Sequence, residues 1–314
     1  MKKPKSSKKP SKKKNKGKLT HSKSFNTNCL VIGDMGKGTN DQRNVAKSMK
    51  LLYKQYKPTF VLGLGDNIYP SGCKDKNDIQ FKRKFERPYS NLPNKIPWYM
   101  ILGNHDYGYI YGTTGIPEAI DNSQSQLDYH DYSVKKGGKW RMPAKYYSYG
   151  KDPVEFFALD TNFDQLSPSE INTQKRVMID KIKASKKKWK IVVGHHTWRS
   201  IAEHGNAEFP ELEKFLTELS KKTDMDAYIC GHDHCKSLVL KKVNNREIPL
   251  IVCGTGGESY NYTLSPGNMS IDNSKLYFFS PHLGVCLLDI TEKRIVYTFY
   301  DSDGKIEYVY RSTK

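Results

Sequence analysis

The chain has 314 residues, 37% of them hydrophobic and 27% charged, enough for one large buried core and too few for three independent domains. No window approaches the roughly 18 apolar residues of a membrane-spanning helix, and the lysines after Met1 lead into no apolar stretch of signal-peptide length, so a soluble, intracellular product is expected. More than half of the formal +19 charge is concentrated in residues 1–24, which hold eleven lysines and no acid.

Residues 1–24 therefore read as a disordered lysine-rich tail, because a block of like charge with almost no apolar side chains cannot offset its ordering entropy. Residues 25–314 read as a single domain, expected to be monomeric. A lysine-rich tail is compatible with nuclear targeting, nucleic-acid or other polyanion contact, or an anionic membrane surface. With no aromatic or arginine interleaved to stack on bases, a plain solvated arm explains it as well.

Along the domain, short β-branched or aromatic runs end in glycine turns rich in Asp, Asn and His: 30–36, 60–69, 98–106, 190–196, 226–234 and 250–257. These are buried strands reaching polar loops. Helical periodicity falls between them at 41–57, at 167–188 with a Ser-Pro-Ser-Glu start, and at 209–222. The alternation predicts an α/β fold of two packed mixed β-sheets flanked by helices, with polar loops gathered at the strand carboxyl ends. Residues 107–150 show weak periodicity and predict loops and short hairpins at the mouth of a site. After Ser280 three strands are predicted, closing a second sheet. Six scattered cysteines, four in or beside apolar runs, read as buried free thiols. Cys230 and Cys235 bracket a Gly-His-Asp-His run but lack the second ligand pair of a zinc finger.

Taken singly, Asp34 after Gly33 or Asp66 after Gly65 could be an ordinary turn. Histidines two apart at a strand end, His232 and His234, are a stronger signal. Six of the nine histidines, at 105, 195, 196, 204, 232 and 234, fall in or just after the loops that the fold would bring together. Carboxylate, phenol, amide and imidazole donors without a thiolate suit iron, zinc or manganese.

The blocks GDMG (33–36), GDNIY (65–69), GNHD (103–106), GHH (194–196) and GHDH (231–234) follow the order of metallophosphoesterases. With Tyr69 three residues after Asp66, and IAEHG at 201–205, the chain resembles the purple acid phosphatases, most of all the small mammalian tartrate-resistant type, over roughly residues 27–300. The resemblance implies Fe(III) held by Asp34, Asp66, Tyr69 and His234, and a divalent ion (Fe, Zn or Mn) held by Asp66, Asn104, His195 and His232, with Asp66 bridging. It implies acid phosphatase activity on a phosphorylated small molecule or phosphoprotein, by attack of a metal-bound hydroxide. His105 and His204 would orient the phosphate and protonate the leaving alkoxide, while Asp106 and Asp233 would support ligands. The role of His196 stays open. A phosphodiesterase or protein phosphatase could use the same core, but the second block lacks the Arg that follows GDxVD in serine/threonine protein phosphatases. A nucleic-acid-associated interaction protein is the remaining alternative. Where the family usually carries a secretion signal, this chain has polylysine.

Overall fold

The computed structural model describes residues 27–108, 121–260 and 274–314. The lysine-rich tail and residues 109–120 of the predicted mouth region lie outside the described residues.

The first sheet contains β1 (Thr27–Ile32), β2 (Phe60–Gly63), β3 (Trp98–Met100) and β4 (Trp140–Arg141), all parallel. The second contains β5 (Tyr147–Lys151), β6 (Val154–Ala158), β7 (Trp189–Val193), β8 (Ala227–Cys230), β9 (Lys236–Val243), β10 (Arg246–Cys253) and β11 (Ser274–Ser280), in the order β11-β9-β10-β8-β7-β6-β5. Within it β6, β7, β8 and β10 are parallel, and β5, β9 and β11 are antiparallel additions. The last strands, β12 (Gly284–Ile290), β13 (Arg294–Asp301) and β14 (Ile306–Thr313), are antiparallel as expected. They extend the first sheet, not a second one, because β12 pairs with β1 from Thr27↔Ile290 to Val31↔Cys286. The first sheet thus runs β14-β13-β12-β1-β2-β3-β4.

Strand alternation builds the layers. Cys29 and Val31 face Phe156, Ile191, Ile229 and Ile251 in the core between the sheets, whereas Leu30 and Ile32 face outward onto Val45, Met49 and Leu52 of helix α1 (Asn40–Tyr56). Helix α2 (Ser123–Lys135) covers the same outer face through Tyr129. On the second sheet, Phe157, Val192, Tyr228 and Val252 pack against α3 (Pro168–Ala184) and α4 (Pro210–Lys222). Ser167 and Glu170 form the expected capping box of α3, but that helix stops at Ala184, leaving Lys186–Lys188 as the lead into β7.

The loops and hairpins expected at 107–150 are corrected by α2 and β4. Helix α2 buries Ser123, Ser125, Gln126 and Ser133 beside Tyr129, so its inner face is largely polar and carries almost no hydrophobic period. The parallel strands of both sheets end at one edge, where the Gly33 amide donates to the Cys253 carbonyl (2.8 Å) and ties the sheets together. The polar loops meet there.

Candidate metal centre

Five loops bring the seven predicted ligands together. Asp34 follows β1, Asp66 and Tyr69 follow β2, Asn104 follows β3, His195 follows β7, and His232 and His234 follow β8. All seven are buried. Ligand atoms of Asp34, Asp66 and His195 lie within 4.8 Å of one another. On one side, Tyr69 Oη is 3.3 Å from Asp34 Oδ1 and 3.0 Å from His234 Nε2, with His234 Nε2 3.7 Å from Asp34 Oδ1. On the other, His195 Nε2 is 3.0 Å from Asn104 Oδ1, 3.1 Å from His232 Nδ1 and 3.5 Å from Asp66 Oδ1. The two histidines of Gly-His-Asp-His thus serve opposite halves of the cluster.

Backbone strain marks the same residues. Asp34 (φ 55°), Asp66 (φ 51°) and His232 (φ 70°) are all left-handed, a conformation that costs a non-glycine residue on the order of 1–3 kcal/mol and gathers at functional sites. Glycines make room beside the carboxylates. A Cβ on Gly103 would stand 2.2 Å from Asp66 Oδ1, and one on Gly231 would stand 2.4 Å from Asp34 Oδ2.

The donor set fits cations. His195 Nδ1 is 2.8 Å from the Leu64 carbonyl, which only accepts, so the ring proton is on Nδ1 and the bare Nε2 lone pair faces Asn104 Oδ1 and the Asp66 carboxylate. Lone pairs aimed at one point need a positive charge between them. Among the described residues, no lysine or arginine forms an ion pair with Asp34 or Asp66. Burial and the Asp66 carboxylate accordingly push Asp34 well above the usual range. Burial also opposes ionisation of Asp66, but His195, His105 and hydrogen bonds from Tyr69 and the His105 amide outweigh it and hold Asp66 low. Burial, with Lys37 nearby, depresses His234 to about 3, which keeps its lone pair available. The Tyr69 phenol is raised by burial and by both carboxylates, charges that bound cations would neutralise.

An open cleft of about 650 Å³ reaches the cluster, lined by Lys37, His105, Glu203, His204 and Tyr260 above the ligands. His105 Nδ1 lies 2.5 Å from the Pro70 carbonyl, its Nε2 lies 3.9 Å from Asp66 Oδ2, and its ring packs on Tyr69. His204 lies over His232, ring centroids 3.9 Å apart, and its amide donates to Asp233 Oδ1. Asp106 accepts from the amides of Asn67, Ile68 and Gly103 and from the side chains of Asn67 and Gln126, locking the second and third loops together. Sequence reasoning passed over Lys37, paired with Glu258 at 2.6 Å, and Tyr260, stacked on His234 at 4.6 Å. It also passed over Glu208 and Thr161, which no motif marks.

Two mixed sheets carrying this donor set at one shared edge define a metallophosphoesterase. The chain belongs to the calcineurin-like phosphoesterase family, whose profile matches residues 27–236. Its relatives are purple acid phosphatases. Purple acid phosphatase 17 of Arabidopsis thaliana is 28% identical over 91% of this chain and 84% of its own length. Human tartrate-resistant acid phosphatase type 5 is 31% identical over 65% of this chain and 66% of its own. Among solved structures, the fold is similar to that of GAP50, the anchor in the inner membrane complex of Plasmodium, with a TM-score of 0.70, 23% identity, and coverage of 91% of this chain and 88% of that one. Kinship with the purple acid phosphatases implies a dinuclear metal centre, for which this chain has candidate ligand groups.

Proposed function

We propose that this chain is a dinuclear-metal acid phosphatase acting on phosphate monoesters. Asp34, Asp66, Tyr69 and His234 would hold Fe(III), and Asp66, Asn104, His195 and His232 would hold Fe, Zn or Mn as a divalent ion. The observation that carries this reading is the division of the donors. The phenol and Asp34 carboxylate stand with His234, while neutral amide and imidazole donors stand around His195 Nε2. Hard anionic donors favour the ferric ion, and the more neutral set suits a divalent one.

Bound there, two ions would neutralise phosphoryl oxygens and make a water acidic enough to supply the nucleophile. The chain's own groups orient the substrate. His105 and His204 line the cleft, one packed on Tyr69 and the other over His232, and would hydrogen-bond the phosphate and pass a proton to the leaving alkoxide. The Asp66 carboxylate accepts the His105 amide at 3.0 Å, so the bridging group and one proton donor move as a unit.

Hydrolysis of p-nitrophenyl phosphate and bis(p-nitrophenyl) phosphate from pH 4 to 8, with iron and zinc content measured, tests the reading. Faster turnover of the monoester by protein holding two ions is expected, and preference for the diester would refute the substrate assignment. The lysine-rich segment is assigned to polyanion contact, separate from hydrolysis. Deleting residues 1–24 should weaken polyanion binding and leave turnover unchanged.

A further inference from the structure

Beside the divalent half of the cluster, three side chains form an arrangement that the reaction as described does not use: Thr161, His196 and Glu208. Thr161 Oγ1 accepts the amides of His195 (3.1 Å) and His196 (3.0 Å). With both lone pairs engaged, its hydrogen is directed to His196 Nδ1 at 2.9 Å. His196 therefore carries its own proton on Nε2, and that atom faces Glu208 Oε2 at 3.9 Å. The same Glu208 oxygen lies 2.9 Å from His232 Nε2. His232 turns its other nitrogen, Nδ1, toward His195 Nε2 in the cluster. His196 and His232 are tilted against each other, with centroids 4.5 Å apart.

We infer that Glu208 is a positioning residue for the divalent ion, acting through His232, with the His196–Thr161 pair fixed beside it. This rests on the dinuclear reading above. A carboxylate on the remote nitrogen of a ligating imidazole fixes its tautomer and ring angle and strengthens its ligand lone pair, and losing such a partner typically costs 10–100-fold in metal affinity. The tautomer of His196 matters. Because Thr161 donates to Nδ1, His196 presents an N–H to Glu208 and not a second lone pair. The Glu208 carboxylate thus accepts from His232 Nε2 at 2.9 Å with the His196 N–H beside it at 3.9 Å, a geometry for a hydrogen-bond acceptor and not for a third metal ligand. Its assigned effect falls on one ion only, since Tyr69 and His234 lie on the far side of the cluster.

Glu208→Ala and Glu208→Gln, prepared as the full chain, test this. The side chain is about one-third exposed, so truncation leaves the fold intact. Zinc affinity, measured by chelator competition on iron-loaded protein, should fall roughly 10–100-fold in Glu208→Ala and less in Glu208→Gln. Excess zinc should restore kcat, and the visible charge-transfer band expected of a Tyr69 phenolate on Fe(III) should keep its intensity. Unchanged zinc affinity in Glu208→Ala overturns the assignment. So does a wild type that binds three ions and a variant that binds two, because Glu208 would then be a ligand itself. A wild type that holds no metal and shows no band would instead sink the dinuclear reading.

Discussion

Replacing Asp106 with Asn changes one atom of the buried hub that joins two ligand loops. Oδ1 receives the Ile68 amide and Gln126 Nε2, Oδ2 receives the Gly103 amide and Asn67 Nδ2, and the Asn67 amide points between the two oxygens. The less costly amide orientation keeps oxygen at the Oδ1 position and sets an NH₂ against the Gly103 N–H, leaving that buried donor without its acceptor at about 1–3 kcal/mol. That loss of about 1–3 kcal/mol is a sizeable part of a typical 5–15 kcal/mol stability. Burial and the Asp66 carboxylate push Asp106 up to about 7, so ionising it costs the folded wild type stability that the Asn variant keeps, and urea unfolding of metal-free protein should be compared at about pH 5, with the deficit of the variant shrinking as pH rises through 7. A loss under about 1 kcal/mol would refute the hub.

Gly231→Ala puts a methyl group where 2.4 Å separates it from Asp34 Oδ2, so phosphatase turnover and the visible band should both fall more than tenfold. Gly150→Ala, whose new Cβ meets nothing closer than 3.5 Å, should match wild type in both assays. Lys37 Nζ lies 3.8 Å from the Tyr69 ring centroid and stabilises a phenolate there by at most about 4 kcal/mol at an effective dielectric of 20, less the opposing effect of Glu258. Lys37→Met should therefore move the ferric-phenolate band to longer wavelength, and a shift the other way contradicts the geometry. Burial raises Asp289 in β12 from 3.8 to about 6 against the pull of Arg294. Because the folded-state pKa is the higher one, wild type should lose stability relative to Asp289→Asn as pH rises from about 4 to 6, by at most about 3 kcal/mol, then level off. Parallel stability curves would refute that.

The strands ending in Asp34, Asp66, Asn104, His195 and His232 were legible because each is an apolar run broken by glycine and a polar residue, a pattern set by local chemistry. Helix α2 was not, since its buried face is mostly serine and glutamine. The sheet joined by β12–β14 was misassigned for a different reason. Alternation defines a strand but not its neighbour, and the β1–β12 pairing spans almost the whole chain. The site followed the same division. Candidate ligands within motifs stand out in the chain, whereas Glu208 and Thr161 acquire meaning only through tertiary contact with His196, His195 and His232. Lys37, next to the first motif, could have been flagged as a cation at a carboxylate-rich loop.

The most direct test of the dinuclear account is p-nitrophenyl phosphate hydrolysis by iron- and zinc-loaded protein beside an Asp66→Asn variant prepared identically, with bound metal counted in both. Asp66 is the one carboxylate assigned to both ions. The account predicts turnover with two ions in wild type, and in the variant a loss of activity of about 10²–10³-fold with reduced metal content, the order of magnitude expected when a group central to transition-state stabilisation is removed. Equal activity in the two proteins, or none in fully loaded wild type, would contradict it.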